Sequence, residues 1–151
     1  MKTLITAVLF SFASVAYAAD TSMVNPHGSS PHGASPTAAE IGDVNVPKAV
    51  GQNAYTVAEI VDQAKTLKDK PVLVRAKVVK FSPEIMNKNW VHLRDGSGTV
   101  AAKNNDLVVT TKDQVKVGTV VTVRGVVRTD KDFGHGYSYD VLIEDAKLAP
   151  N

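Results

Sequence analysis

Val72-Leu73-Val74-Arg75-Ala76-Lys77-Val78-Val79-Lys80-Phe81 alternates apolar and polar side chains with a period of two, then slips by one residue at Val78-Val79. Val72, Val74, Ala76 and Val78 share one face, opposite Leu73, Arg75 and Lys77, as in a half-buried β-strand. The slip is what a β-bulge produces where a strand bends. Four further runs rich in β-branched residues follow: Asn89 to Asp95, Asp106 to Thr111, Thr119 to Thr129 and Ser138 to Leu148. Gly125, inside the fourth, suits a second corner. Five strongly bent strands in about 80 residues suit a small closed or partly open barrel better than a sandwich, which usually needs seven or more.

Upstream of Pro71, Thr56 and Glu59 form a capping box, and Val57, Ile60, Val61, Ala64 and Leu67 recur at helical spacing. One amphipathic helix is expected, placed to plug an end of the barrel. Lys65, Lys68 and Lys70 favour its carboxyl end through the helix dipole, and Pro71 marks the stop.

At the amino terminus, Lys2 precedes an apolar run from Leu4 to Ala13, and Ala16-Tyr17-Ala18 fits the small-residue rule for signal cleavage. Residues 1–18 are therefore expected to be a signal peptide and the mature protein to be periplasmic or secreted. The run falls well short of the ~20 apolar residues that span a bilayer, so no stable membrane insertion is expected after cleavage. From Asp20 to about Pro47 the chain is dense in Pro, Gly, Ser, Ala and His without apolar periodicity, and it buries too little to offset its ordering entropy. Residues 19–50 are assigned to a linker and 51–151 to the folded domain. Within the linker, Pro26-His27-Gly28 is echoed by Pro31-His32-Gly33, which is either plain linker composition or a loose Cu or Zn chelator.

There are no cysteines, which excludes disulfides, thiolate metal sites, covalent c-type haem and cysteine nucleophiles. With 17 basic and 15 acidic residues the formal charge is +2, and it falls to +1 when Lys2 leaves with the signal. This is no polycation, and a dedicated DNA binder's steep salt dependence is not expected.

The stretch from Ala76 to Gly98, with Trp90 and the Leu93-Arg94-Asp95-Gly96-Ser97-Gly98 turn, resembles the first hairpin of OB-folds of the anticodon-binding type. Together with Val123-Arg124-Gly125-Val126-Val127 and the stretch from Asp130 to Tyr139, it is similar to small exported bacterial single OB-fold proteins, described as nucleotide- or nucleic-acid-binding. The resemblance covers about Tyr55 to Leu148. It implies a mainly β, five-stranded OB-fold barrel preceded by one helix. One part of the pattern is departed from: the usual OB helix lies between the third and fourth strands, where Lys112 to Gly118 is too short for more than a turn.

OB-folds bind ligands across strands two and three, between the loops joining strands one to two and four to five. Here those loops are expected at Ser82 to Asn89, carrying Ile85, Met86 and Lys88, and at Asp130 to Tyr139, carrying Lys131, Phe133, His135, Tyr137 and Tyr139. Period-two geometry puts Val91 and Leu93 in the core and Trp90, His92 and Arg94 on the outer face. That is an aromatic platform and two cation-capable groups in line, suited to single-stranded nucleic acid or a nucleotide-like ligand. The alternative reading packs Trp90 against the helix or the Phe133 loop. Phe133, Tyr137 and Tyr139 equally serve as anchors for a ten-residue loop. Arg75, Lys77 and Lys80 form an exposed strand face or part of a basic patch.

His135-Gly136-Tyr137-Ser138-Tyr139 has the H-x-x-x-Y spacing of the OB-fold haem chaperone of cytochrome c maturation. No nucleophile elbow, His-Glu-x-x-His or phosphate-cradling loop is present. The expectation is a non-catalytic binding protein with no cofactor or metal assigned. The rivals are an accessory of envelope redox, metal or haem metabolism, and a protein-docking module working by strand addition.

Overall fold

The computed structural model describes residues 43–150. The expected signal segment, its cleavage site and the doubled Pro-His-Gly lie outside the described residues. The first described residues, 43–50, were assigned to the linker on composition, yet they pack on the domain. The Val46 N–H donates to the Asp95 carbonyl at 2.9 Å, Ala49 is buried, and Lys48 pairs with Glu59 at 3.2 Å. The ordered unit therefore begins at least eight residues before the expected boundary, held by backbone contacts that composition does not reveal.

The capping box forms as expected: the Thr56 hydroxyl accepts from the Glu59 N–H at 3.1 Å and the Glu59 carboxylate accepts from the Thr56 N–H at 2.8 Å. It opens helix α1 (Val57–Asp62). Instead of one continuous helix, Gln63 breaks the geometry at φ −101° and ψ 15°, and a single turn, α2 (Ala64–Leu67), follows. The apolar stripe survives the break, because Val57, Ile60, Ala64 and Leu67 are all buried. Past the turn the chain couples to the sheet. The Asp69 N–H donates to the Val127 carbonyl, and the Val127 N–H donates back to the Lys70 carbonyl.

Five strands follow: β1 (Pro71–Ile85), β2 (Lys88–Arg94), β3 (Leu107–Thr111), β4 (Val120–Asp132) and β5 (Ser138–Ala149). They form one mainly β unit whose sheet closes on itself in the order β1-β2-β3-β5-β4 and back to β1. Every pairing is antiparallel except β3 with β5. The β1–β2 register shifts between Val78 and Lys80, where the sequence slips phase. The β4–β5 register shifts at Gly125, where a Cβ would lie 2.3 Å from Ile143 Cγ2 and 3.1 Å from the Ala146 Cα. Only glycine lets β5 pass this corner so closely.

The ring interior takes the expected Val74, Val78 and Leu93 together with Val109, Val127 and Ile143, and α1 and α2 add Val57, Ile60 and Leu67. Residues 112–118 form no helix. The Asp95-Gly96-Ser97 turn instead receives α1. Asp95 Oδ2 accepts from the Val57 N–H at 2.9 Å and Ser97 Oγ from the Ala58 N–H at 3.0 Å, while Asp95 Oδ1 holds Ser97. These two side chains satisfy donors that every helix start leaves open. Gly96 is required there, since a Cβ would sit 2.1 Å from the Val44 carbonyl oxygen. Among the described residues no helix is long and apolar enough to cross a membrane.

Candidate ligand-binding site

The expected loop from Ser82 to Asn89 is mostly strand. β1 and β2 pair up to Ile85 and Lys88, leaving the two-residue turn Met86-Asn87, with φ of 52° and 59°. Two successive left-handed residues match the right-handed twist of a hairpin. Asn89 locks the turn's base: its Oδ1 accepts from the Glu84 N–H and its Nδ2 donates to the Asp113 carbonyl. At the other end of the site, β4 runs on to Asp132 and β5 resumes at Ser138, so the expected ten-residue loop is a five-residue hairpin tip. The Phe133 N–H donates to the Tyr137 carbonyl at 2.9 Å across it.

Alternation along β2 places Val91 and Leu93 inside and Trp90, His92 and Arg94 on the other face, as expected. Trp90 follows the alternative reading and packs against the Phe133 loop instead of standing as an open platform: it is 3% exposed, buried against Val108 and Leu142. The hairpin tip wraps it. Tyr139 stacks on it at 5.3 Å with 28° between planes, Phe133 meets it edge-on at 5.0 Å, and Tyr137 lies tilted at 5.7 Å. The indole N–H donates to the Ile85 carbonyl at 2.9 Å, which ties the β1–β2 turn to the same cluster. Trp90 is thus the anchor, and the partly exposed Phe133, Tyr137 and Tyr139 carry the accessible ring surface. Burial and the neighbouring Tyr137 push the Tyr139 hydroxyl above its ordinary pKa.

His92 and Arg94 are joined by a residue that sequence reading passed over. Asp106 Oδ1 lies 2.7 Å from His92 Nδ1, and Oδ2 accepts from Arg94 Nε at 2.8 Å. Burial alone would raise the Asp106 carboxyl, but the hydrogen bonds and charges of His92 and Arg94 outweigh it and hold the group below the usual carboxylate range. A signal existed: Leu93 pairs with Leu107, so the antiparallel register continues to set Arg94 opposite Asp106.

Lys88 and Lys131, both expected at the site, converge on Glu144, another residue not foreseen. Lys88 Nζ lies 3.3 Å from Glu144 and 2.9 Å from Asp145, Lys131 Nζ lies 3.6 Å from Glu144, and Arg128 Nε donates to Glu144 at 3.1 Å. Burial works against charge on both Glu144 and Lys88. The cations around Glu144 still depress its pKa, and the two carboxylates beside Lys88 still raise its own. Lys131 also lies 5.6 Å from the Phe133 ring centroid. Fifty-six residues separate Lys88 from Glu144, and only the closed ring brings them together.

His135 stands apart, exposed at the tip with φ 54°. Its H-x-x-x-Y partner, Tyr139, is stacked on Trp90. Among the described residues no group of three or more His, Asp or Glu side chains is placed to hold a metal ion. No protein-family model matches the chain, and neither does any curated protein.

Proposed function

We propose that the closed ring is an OB-fold barrel and that the protein is an exported, non-catalytic binding module. Its ligand lies against the partly exposed rings of Phe133, Tyr137 and Tyr139, beside the Asp106-bridged His92 and Arg94 of β2. The strand order with one parallel β3–β5 pair, and helices at the Asp95-Gly96-Ser97 end of the ring, support the barrel reading. Export to the envelope rests on Lys2, the apolar run and Ala16-Tyr17-Ala18.

The observation that carries the ligand reading is the packed ring cluster. Three aromatic side chains with accessible surface are fixed on one buried tryptophan, on the same strand as the Asp106-bridged His92 and Arg94. Rings held in this way lose little freedom on stacking a flat ligand, and the bridged pair offers hydrogen bonds at its edge. The cations do not favour a long polyanion: Lys88, Arg94 and Lys131 already hold carboxylates, which phosphates would have to displace. The reading is a single nucleotide-like or sugar-like unit rather than an extended strand of nucleic acid.

Titration of mononucleotides and of single-stranded oligonucleotides, followed by Trp90 emission at low and moderate salt, tests it. Saturable changes with mononucleotides, a shallow salt slope, and loss of the response in Tyr139→Ala are expected. A slope of several counterions would turn the site into a polyanion groove, and binding that survives in Tyr139→Ala would move it elsewhere.

A further inference from the structure

At the opposite end of β4 and β5 from the aromatic tip, residues 47–50 lie against the outer face of β1. The Pro47 carbonyl accepts weakly from the Arg75 guanidinium at 3.5 Å, Ala49 is buried, and Val50 is 98% exposed. An open groove of about 490 Å³ lies here, lined by apolar Ala49, Val50, Leu73 and Pro150 and by the cations Lys48 and Arg75. That is the size of a small-ligand site rather than of a folded partner.

The sheet register adds further charge. Arg124 pairs with Leu73 on one side and with Lys147 on the other, so two cations stand directly opposite each other on neighbouring strands. Such a placement is destabilising unless an anion lies against it. Around the aromatic tip every cation of Lys88, Arg94, Arg128 and Lys131 is matched by a carboxylate. Here Lys48 holds Glu59, but Arg124 and Lys147 are exposed without an ionic partner among the described residues. Asp113 reaches this end of β5, where it accepts from the Leu148 N–H.

We propose that this face docks on an anionic phospholipid surface, one headgroup phosphate seated at the groove's edge between Arg75 in its lining and the neighbouring Arg124 and Lys147. The fully exposed Val50 side chain then enters the interfacial layer. Unmatched cations beside an apolar prong are the combination that binds a bilayer interface, where charge and buried apolar area add. An acidic peptide would use the cations but leave Val50 in water.

The test is co-sedimentation of the full chain, its amino terminus established by mass spectrometry, with vesicles of phosphatidylcholine alone or mixed with phosphatidylglycerol. Binding is expected only with phosphatidylglycerol. Each neutralised cation should weaken it about fivefold, so Arg124→Gln with Lys147→Gln should weaken it about 25-fold. The charge-matched control Lys65→Gln with Lys68→Gln, on the helical segment, should bind as the parent does. Val50→Ser should weaken binding while leaving its salt dependence unchanged. Thermal melts confirm that the variants fold. Equal loss in both double variants, equal binding to neutral vesicles, displacement by millimolar inorganic phosphate, or tighter binding to poly-glutamate than to vesicles would each overturn the proposal.

Discussion

Tyr139 stacks on Trp90, with centroids 5.3 Å apart, over an indole whose N–H is already given to the Ile85 carbonyl. Trp90 therefore stabilises the fold before it contributes to any binding. Trp90→Ala is expected to cost about 3–5 kcal/mol in urea unfolding, the range for a large aromatic removed from a packed site. An emission maximum of native Trp90 near that of free tryptophan would contradict this burial.

Tyr139→Ala removes one ring from the cluster and leaves Trp90 covered by Phe133, Val108 and Leu142. The expected cost is smaller, about 2 kcal/mol, with the Trp90 emission shifted to the red. Urea unfolding followed by circular dichroism, which does not depend on the indole, measures it.

Asp106 and Glu144 both have carboxyls held below their ordinary pKa, so each contributes stability that is fully present above about pH 4 and is lost as pH falls through the folded-state value. Lys88, raised above its ordinary value, contributes stability that is complete below about pH 10 and is lost as pH rises through its folded value. A melting-temperature profile should therefore fall at both extremes. Asp106→Asn should cost about 1.5–3 kcal/mol near neutrality, where the charged hydrogen bonds are lost, and should flatten the acid limb.

Gly125→Ala places a methyl group 2.3 Å from Ile143 Cγ2 and 3.1 Å from the Ala146 Cα, so its neighbours must shift. Overpacking of this kind should cost about 1–3 kcal/mol. Thermal denaturation checks it. Gly134→Ala, with nothing within 4 Å of the new methyl group, isolates the backbone contribution, since φ there is +77°.

Asp95→Ala removes the acceptor of the Val57 N–H and the support of Ser97 in one step. A loss of about 1–2 kcal/mol is expected, the upper part of the range for a helix cap. Faster amide exchange at Val57 and Ala58 should accompany it.

Legibility in the sequence followed the range of the interactions. The period-two runs, the Val78-Val79 slip and the Thr56–Glu59 capping box depend on neighbours within a few residues, and each is found where the pattern puts it. Trp90 went half-read: alternation assigned its face, but its burial depends on a hairpin tip more than forty residues away. Asp106 needed the β2–β3 register, and Glu144 needed closure of the ring. The packed segment at 43–50 has no periodicity, and its contacts reach residues far along the chain, such as Val46 to Asp95, so composition alone points to linker.

β5 is the last of the described strands and the middle strand of the β3-β5-β4 half of the ring. Its pairing with β3 joins Val108 to Leu142 and Val109 to Ile143, contacts that span more than thirty residues and earn no stability until the intervening hairpin is in place. β5 can pair locally with β4 across the 133–137 tip, but its docking on β3 closes a long loop, a non-local contact of the kind that slows folding. A nascent chain that has not yet delivered Ser138 onward leaves β3 and β4 with open edges, the kind of surface on which strands from other molecules add. Completion of that one strand removes both edges at once.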